Sequence, residues 1–94
     1  MTPTQDAVAD SRPMIRVRYF AAAREAAGTS EESWPVTTAT TVADLLTALS
    51  HDRGDQLAQV IAHCSVLVDG ARAHLTDPLP DHATVDLLPP FAGG

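Results

Sequence analysis

One stretch of this chain has the length and spacing of a full amphipathic helix, and the rest must be arranged around it. Val42, Leu45, Leu46 and Leu49 fall at i, i+3, i+4 and i+7, so they form a single apolar stripe. Thr41 and Asp44, three residues apart, have capping-box spacing and place the helix start at Thr41. The stripe must face a sheet, and the flanking segments supply one. Ile15 to Phe20 alternates with period two, with Ile15, Val17 and Tyr19 on one face and Arg16, Arg18 and Phe20 on the other. Glu31 to Val36 reads as a second strand, with Pro35 placing it at an edge. Val66, Leu67 and Val68 run into Asp69-Gly70, a pair that favours a type I′ hairpin turn. Thr84 to Leu88, after a proline-broken loop, reads as the last strand. Two shorter helices are expected, one over Ala21 to Ala27 closed by Gly28 and one after Gly54 that carries Leu57, Val60 and Ile61. The order describes an α+β fold, a compact roll whose sheet is covered by one main helix.

Three segments follow. Residues 1–13 read as a disordered N-terminal arm, residues 14–88 as the folded domain and residues 89–94 as a flexible C-terminal tail. About 75 residues support one small core and leave little surface for a private active-site pocket, so function is expected at a surface or a terminus. There is no internal repeat and no second domain.

Charge narrows the chemistry further. Twelve acids against six bases give a formal net charge of -6, which argues against binding to nucleic-acid phosphates or to an anionic membrane. All six bases are arginines (Arg12, Arg16, Arg18, Arg24, Arg53 and Arg72), so lysine-based nucleophilic and Schiff-base chemistry is excluded. The single Cys64 cannot form an internal disulfide. The apolar runs are too short to span a bilayer, and the opening residues have no signal-peptide core, so a cytoplasmic location is expected.

The tail concentrates the remaining signal. The last strand runs into Pro89-Pro90-Phe91-Ala92-Gly93-Gly94. Two prolines fix φ near about -65° and stiffen the exit, projecting the tail away from the domain. Gly93 and Gly94 lack a Cβ, so the tip can thread a narrow channel and leave a terminal carboxylate open on both sides. A carboxylate of this kind is ionised and unreactive at neutral pH, so its use in chemistry requires activation, normally as an acyl-adenylate.

Two segments, Val17 to Gly28 (Val-Arg-Tyr-Phe-Ala-Ala-Ala-Arg-Glu-Ala-Ala-Gly) and Val85 to Gly94 (Val-Asp-Leu-Leu-Pro-Pro-Phe-Ala-Gly-Gly), together with the helix start Thr41 to Leu46, resemble the small, sulfur-carrying subunit of molybdopterin synthase. That subunit belongs to the ubiquitin-like β-grasp sulfur carriers. The resemblance implies a mixed β-grasp sheet and a carrier cycle. An E1-like enzyme uses ATP to adenylate Gly94, and a sulfur donor converts it to a thiocarboxylate. The tail then enters the large synthase subunit, expected as a heterotetramer, and gives sulfur to cyclic pyranopterin monophosphate for the molybdenum cofactor. The chain itself would be non-catalytic, a protein cosubstrate with no bound cofactor and no metal. The alternatives are a sulfur carrier for thiamine or cysteine biosynthesis and a ubiquitin-like modifier or interaction module. The absence of lysine also removes one class of nucleophile that could attack the activated terminus.

In a β-grasp sheet the first and last strands are neighbours. Phe20 shares its face with Arg16 and Arg18, and Leu88 shares its face with Thr84 and Asp86, so both apolar residues fall on the more polar side. Phe20, Leu88 and Leu67 are therefore expected as an exposed apolar patch at the root of the tail, extended by Phe91, and such patches mark interfaces. The partner-binding set is Phe20, Leu88, Pro89, Pro90, Phe91 and Ala92, and the reactive set is Gly94 with Gly93. Arg72 stands near where the family has an apolar residue. Cys64 reads as a small core residue rather than a sulfur-relay thiol. His51, His63, His74 and His82 lack metal-ligand spacing, and Arg24 and Glu25 read as solvated helix charges. Asp81-His82-Ala83 occupies a tight turn where the family has glycine.

Overall fold

The structure is a computed structural model that describes residues 13–36 and 40–90. Strand β1 (Met14–Tyr19) leads into helix α1 (Ala22–Ala27) and strand β2 (Glu31–Pro35). Helices α2 (Val42–Arg53) and α3 (Asp55–Ile61) follow, then strands β3 (Ser65–Val68), β4 (Ala71–Arg72) and β5 (Thr84–Leu88). The sheet order is β2-β1-β5-β3-β4, with β1 and β5 parallel and the other pairs antiparallel. It is therefore a mixed sheet, and its first and last strands are neighbours as expected. β2 lies at an edge, where Pro35 removes no ladder bond that a neighbour would need.

Alternation sets the core. Ile15, Val17 and Tyr19 of β1 and Val85 and Leu87 of β5 are buried on one face. Val42, Leu45 and Leu49 of α2 pack over them, while Leu46 of the sequence stripe is only partly buried at its margin. The helical cover is shared more widely than one main helix, because α1 buries Ala23 and Ala27 and α3 buries Leu57 and Ile61. Burying each aliphatic side chain of this size stabilises by about 1.5–3 kcal/mol against a conformational-entropy cost of similar size, so a core this small depends on all three helices.

Local signals place the elements. Thr41 Oγ1 accepts from the Asp44 N–H at 3.2 Å, and the Asp44 carboxylate accepts from the Thr41 N–H at 3.0 Å, completing the capping box. The next free donors of α2 are taken up by the loop before β5: the Val42 N–H donates to the Asp77 carbonyl and the Ala43 N–H to the Leu75 carbonyl. Asp69 and Gly70 have φ 51° and 85°, the two positive values that a type I′ turn requires. Gly28 ends α1 at φ 80°, with its N–H bonded to the Arg24 carbonyl.

Three expectations change. Ala21 is not the first residue of α1: it sits at φ 50°, ψ -125°, and the Phe20 carbonyl accepts from the Ala23 N–H, which makes a type II′ corner between β1 and the helix. The second strand stops at Pro35, and Val36, buried beyond it, donates its N–H to the Pro13 carbonyl. Asp86, read as part of a polar face, is only 7% exposed.

Candidate functional site

The open face of the sheet is assembled by register. Arg18 lies beside Asp86, Asp86 beside Leu67 and Leu67 beside Arg72, so the four form one row across β1, β5, β3 and β4. Glu31 of β2 extends that row at the other end. Asp86 is buried within it because Arg18 covers it: Nε and Nη2 donate to the two carboxylate oxygens at 2.6 and 2.9 Å. That bidentate bond raises the Arg18 pKa and satisfies the acid. The Arg18 guanidinium also stands 5.6 Å from the centre of the Phe20 ring, within cation–π range. Phe20 is thus held by Arg18 while the residue as a whole stays 37% exposed.

One step along the strands lies the root of the tail. The Phe20 N–H donates to the Leu87 carbonyl at 3.3 Å, continuing the β1–β5 ladder, and Leu88 pairs with Ser65 of β3. Phe20, Leu88, Pro89 and Pro90 are brought together around a groove of about 770 Å³, with Ala21 and Ala22 on one wall and His63 and Ser65 on the other. A second depression of about 630 Å³ shares Ala22, His63, Pro89 and Pro90 with the groove and adds Gln59, Val60 and Ala62. Pro89 and Pro90 thus line two adjoining, largely apolar hollows. Leu88 and Pro89 are half-buried rather than open, because the end of β5 is flanked by both β1 and β3; Phe20 and Pro90 are the exposed members. Leu67 is also half-buried, one row further in. Phe91, Ala92, Gly93 and Gly94 lie outside the described residues.

The remaining candidates separate from this site. Cys64 is half-buried against the core, and its thiol donates to the Val60 carbonyl at 3.3 Å. Burial pushes its pKa up to about 11, so it is held as an unreactive thiol at neutral pH. Among the described residues no three His, Cys, Asp or Glu side chains gather where they could hold a metal ion. Arg24, Glu25 and Arg72 are exposed. His82 takes φ 66° in its turn, the strained geometry its sequence position implied. No described helix is long and apolar enough to cross a membrane.

Two features were not visible in the sequence. Leu75 is 57% exposed on the β4–β5 connection, where its carbonyl is engaged by α2 and its side chain is left outward. Glu32 of β2 accepts from the Tyr19 hydroxyl and from Arg53, while Arg53 Nη1 donates to the Ala27 carbonyl at 2.8 Å. Burial, and then the bond to Glu32, raise the Tyr19 pKa. These partners come from β1, β2, α1 and α2, so no local pattern links them.

Residues 17–94 match the sequence profile of the ThiS family. No curated protein sequence matches the chain. Among solved structures, SAMP1 from Haloferax volcanii is 28% identical with a TM-score of 0.76, over 86% of this chain and 99% of that one. A protein designated subunit 1 of a molybdopterin converting factor from Pyrococcus furiosus is 24% identical with a TM-score of 0.75, over 84% of this chain and 99% of that one. The molybdopterin-converting factor of Helicobacter pylori, solved as a complex of its subunits 1 and 2, contains a chain 24% identical with a TM-score of 0.58, over 86% of this chain and 99% of that one. At 24% identity the last two show a common fold. The arrangement shared by these chains is the ubiquitin-like β-grasp.

Proposed function

The chain belongs to the ThiS family of ubiquitin-fold sulfur carriers, and we propose that within it this protein is the sulfur-carrying small subunit of a molybdopterin synthase. In this reading an E1-like enzyme and ATP adenylate the Gly94 carboxylate, and a sulfur donor displaces AMP to leave a thiocarboxylate. The tail then delivers that sulfur to cyclic pyranopterin monophosphate in the active site of a large subunit during molybdenum cofactor biosynthesis. The observation that carries the reading is the family match running through Gly94, next to a tail root where Phe20 and Leu88 flank a mainly apolar groove. The solved complex of the two converting-factor subunits from Helicobacter pylori supports a large-subunit partner for a chain of this fold. The acidic, lysine-free body leaves phosphate binding to that partner. Domain roles follow: residues 14–88 form the handle and residues 89–94 the delivering arm.

The test is intact-mass analysis after incubation with ATP, an activating enzyme and a sulfur donor. An oxygen-to-sulfur mass change confined to the C-terminal peptide is expected, followed by conversion of the pterin precursor once a large subunit is added. Sulfur loading without pterin conversion would redirect the chain to thiamine or cysteine biosynthesis. Phe20→Asp should weaken association with the large subunit by about thirtyfold or more while lowering the melting temperature only modestly, since Phe20 lies outside the core and loses mainly its contact with Arg18.

A second reading has its own support. The similarity to SAMP1, a small archaeal modifier protein, favours attachment of Gly94 to lysines of other proteins. Diglycine remnants on cellular lysines that vanish when Gly94 is deleted would establish it.

A further inference from the structure

The register that brings Phe20 to the groove also builds what stands behind it. Arg18 lies beside Asp86 and Tyr19 beside Leu87 in the parallel β1–β5 pair. The bond from the Phe20 N–H to the Leu87 carbonyl carries that register one step further, so Phe20 lies beside Leu88. Side chains two apart on a strand share a face. The Arg18–Asp86 pair and the Phe20–Leu88 pair are therefore consecutive on the open face of the sheet. Asp86 is a carboxylate only 7% exposed on that face, where it adds nothing to the apolar core. Its two oxygens are taken up by Arg18 Nε and Nη2 at 2.6 and 2.9 Å, and two bonds in one plane fix a guanidinium that a single bond would let swing. With its side chain 44% exposed, Arg18 gains little from the pair in stability. The guanidinium carbon stands 5.6 Å from the centre of the Phe20 ring, and a cation fixed there favours one position of the ring over the others open to an exposed phenylalanine.

We propose that Asp86 and Arg18 are positioning residues for docking: Asp86 fixes Arg18, and Arg18 holds the Phe20 ring in one orientation before a partner arrives. This role rests on the reading of Phe20 as the anchor for a large subunit. An exposed aromatic side chain that is free in the unbound chain has to be ordered on binding, and one already held does not. The backbone supports the same end. Directly after Phe20 the chain turns through Ala21 at φ 50°, ψ -125°, and the Phe20 carbonyl accepts from the Ala23 N–H, so the Cα of the anchor is fixed between the β1–β5 ladder and the corner. Asp86 has no surface to offer a partner, because Arg18 covers it. Its effect on docking therefore passes through Arg18 and the ring.

Two measurements on the full chain test it. Scalar couplings that report the Phe20 χ1 angle in solution NMR should show one dominant rotamer in the wild type. They should average in Asp86→Asn, which keeps the side-chain size but offers Arg18 one acceptor oxygen, and in Arg18→Met, which keeps an apolar stem and removes the cation. Couplings already averaged in the wild type, or unchanged in the variants, would overturn the proposal; either variant decides if the other fails to fold. Against a molybdopterin synthase large subunit both variants should associate roughly three- to tenfold more weakly than the wild type. In a Phe20→Ala background neither should weaken association further. A loss of the same size in that background would also overturn the proposal, since Arg18 would then meet the partner directly. A wild-type chain that binds no large subunit refutes the docking reading instead, and the couplings in the free chain then decide by themselves whether Arg18 holds the ring.

Discussion

At the corner after β1, Ala21 holds a backbone geometry suited to glycine, and the helix behind it begins one residue later than its alanine run implies. Intrinsic propensity treats Ala21 and Ala22 alike; the II′ turn separates them. Ala21→Gly should therefore stabilise the chain by about 1 kcal/mol, whereas Ala22→Gly, inside the helix, should cost about the same, both read from urea midpoints. Cys64 supplies a second test at this scale. Its folded pKa of about 11 lies above the usual 9.0, so the stabilisation linked to the protonated thiol is fully present below pH 9 and is lost as pH rises toward 11. Thermal unfolding across that range should show a falling midpoint, with a smaller fall in Cys64→Ala. Alternation correctly put Arg18 and Asp86 on one face, but it could not reveal that Asp86 is buried, because its cover comes from a strand 68 residues away in sequence.

Among the elements, α2 is the one whose sequence signal and structure agree at its start and along most of its stripe. Both bonds of its capping box are local, spanning three residues, which is why spacing alone identified them. Thr41→Ala should lower stability by about 1 kcal/mol in chemical denaturation. The hairpin between β3 and β4 was legible for a similar reason, since Asp69-Gly70 satisfies the turn by itself. β5 was legible as a strand but not in its exposure. Leu88 was expected on an open face and is half-buried, because only the sheet order places β1 and β3 on either side of it.

For the molecule as a whole, Glu32 joins β1 to α2 through Tyr19 and Arg53, and Arg53 ties α1 to the same point. With its side chain 27% exposed, Arg53 is screened only in part. Arg53→Leu should cost about 2 kcal/mol by leaving the Glu32 carboxylate without its cation, with Glu32→Gln costing less, as urea denaturation would show. The charge distribution has the same global origin. A chain of net charge -6 still sets Arg16, Arg18 and Arg72 on its open sheet face, together with Phe20.

The amino-acid sequence by itself determined most of the elements, the cap of α2, the β3–β4 turn, the α+β class and the apolar character of Phe20, Leu88 and the proline exit, because each depends on neighbours within a few residues. Only the tertiary structure decided which strands adjoin, and with that the pairing of Arg18 with Asp86, the Glu32 junction, the exposure of Leu75 and the groove beside Pro90. Those contacts join residues far apart in the chain, and their energies exist only after the sheet order is set.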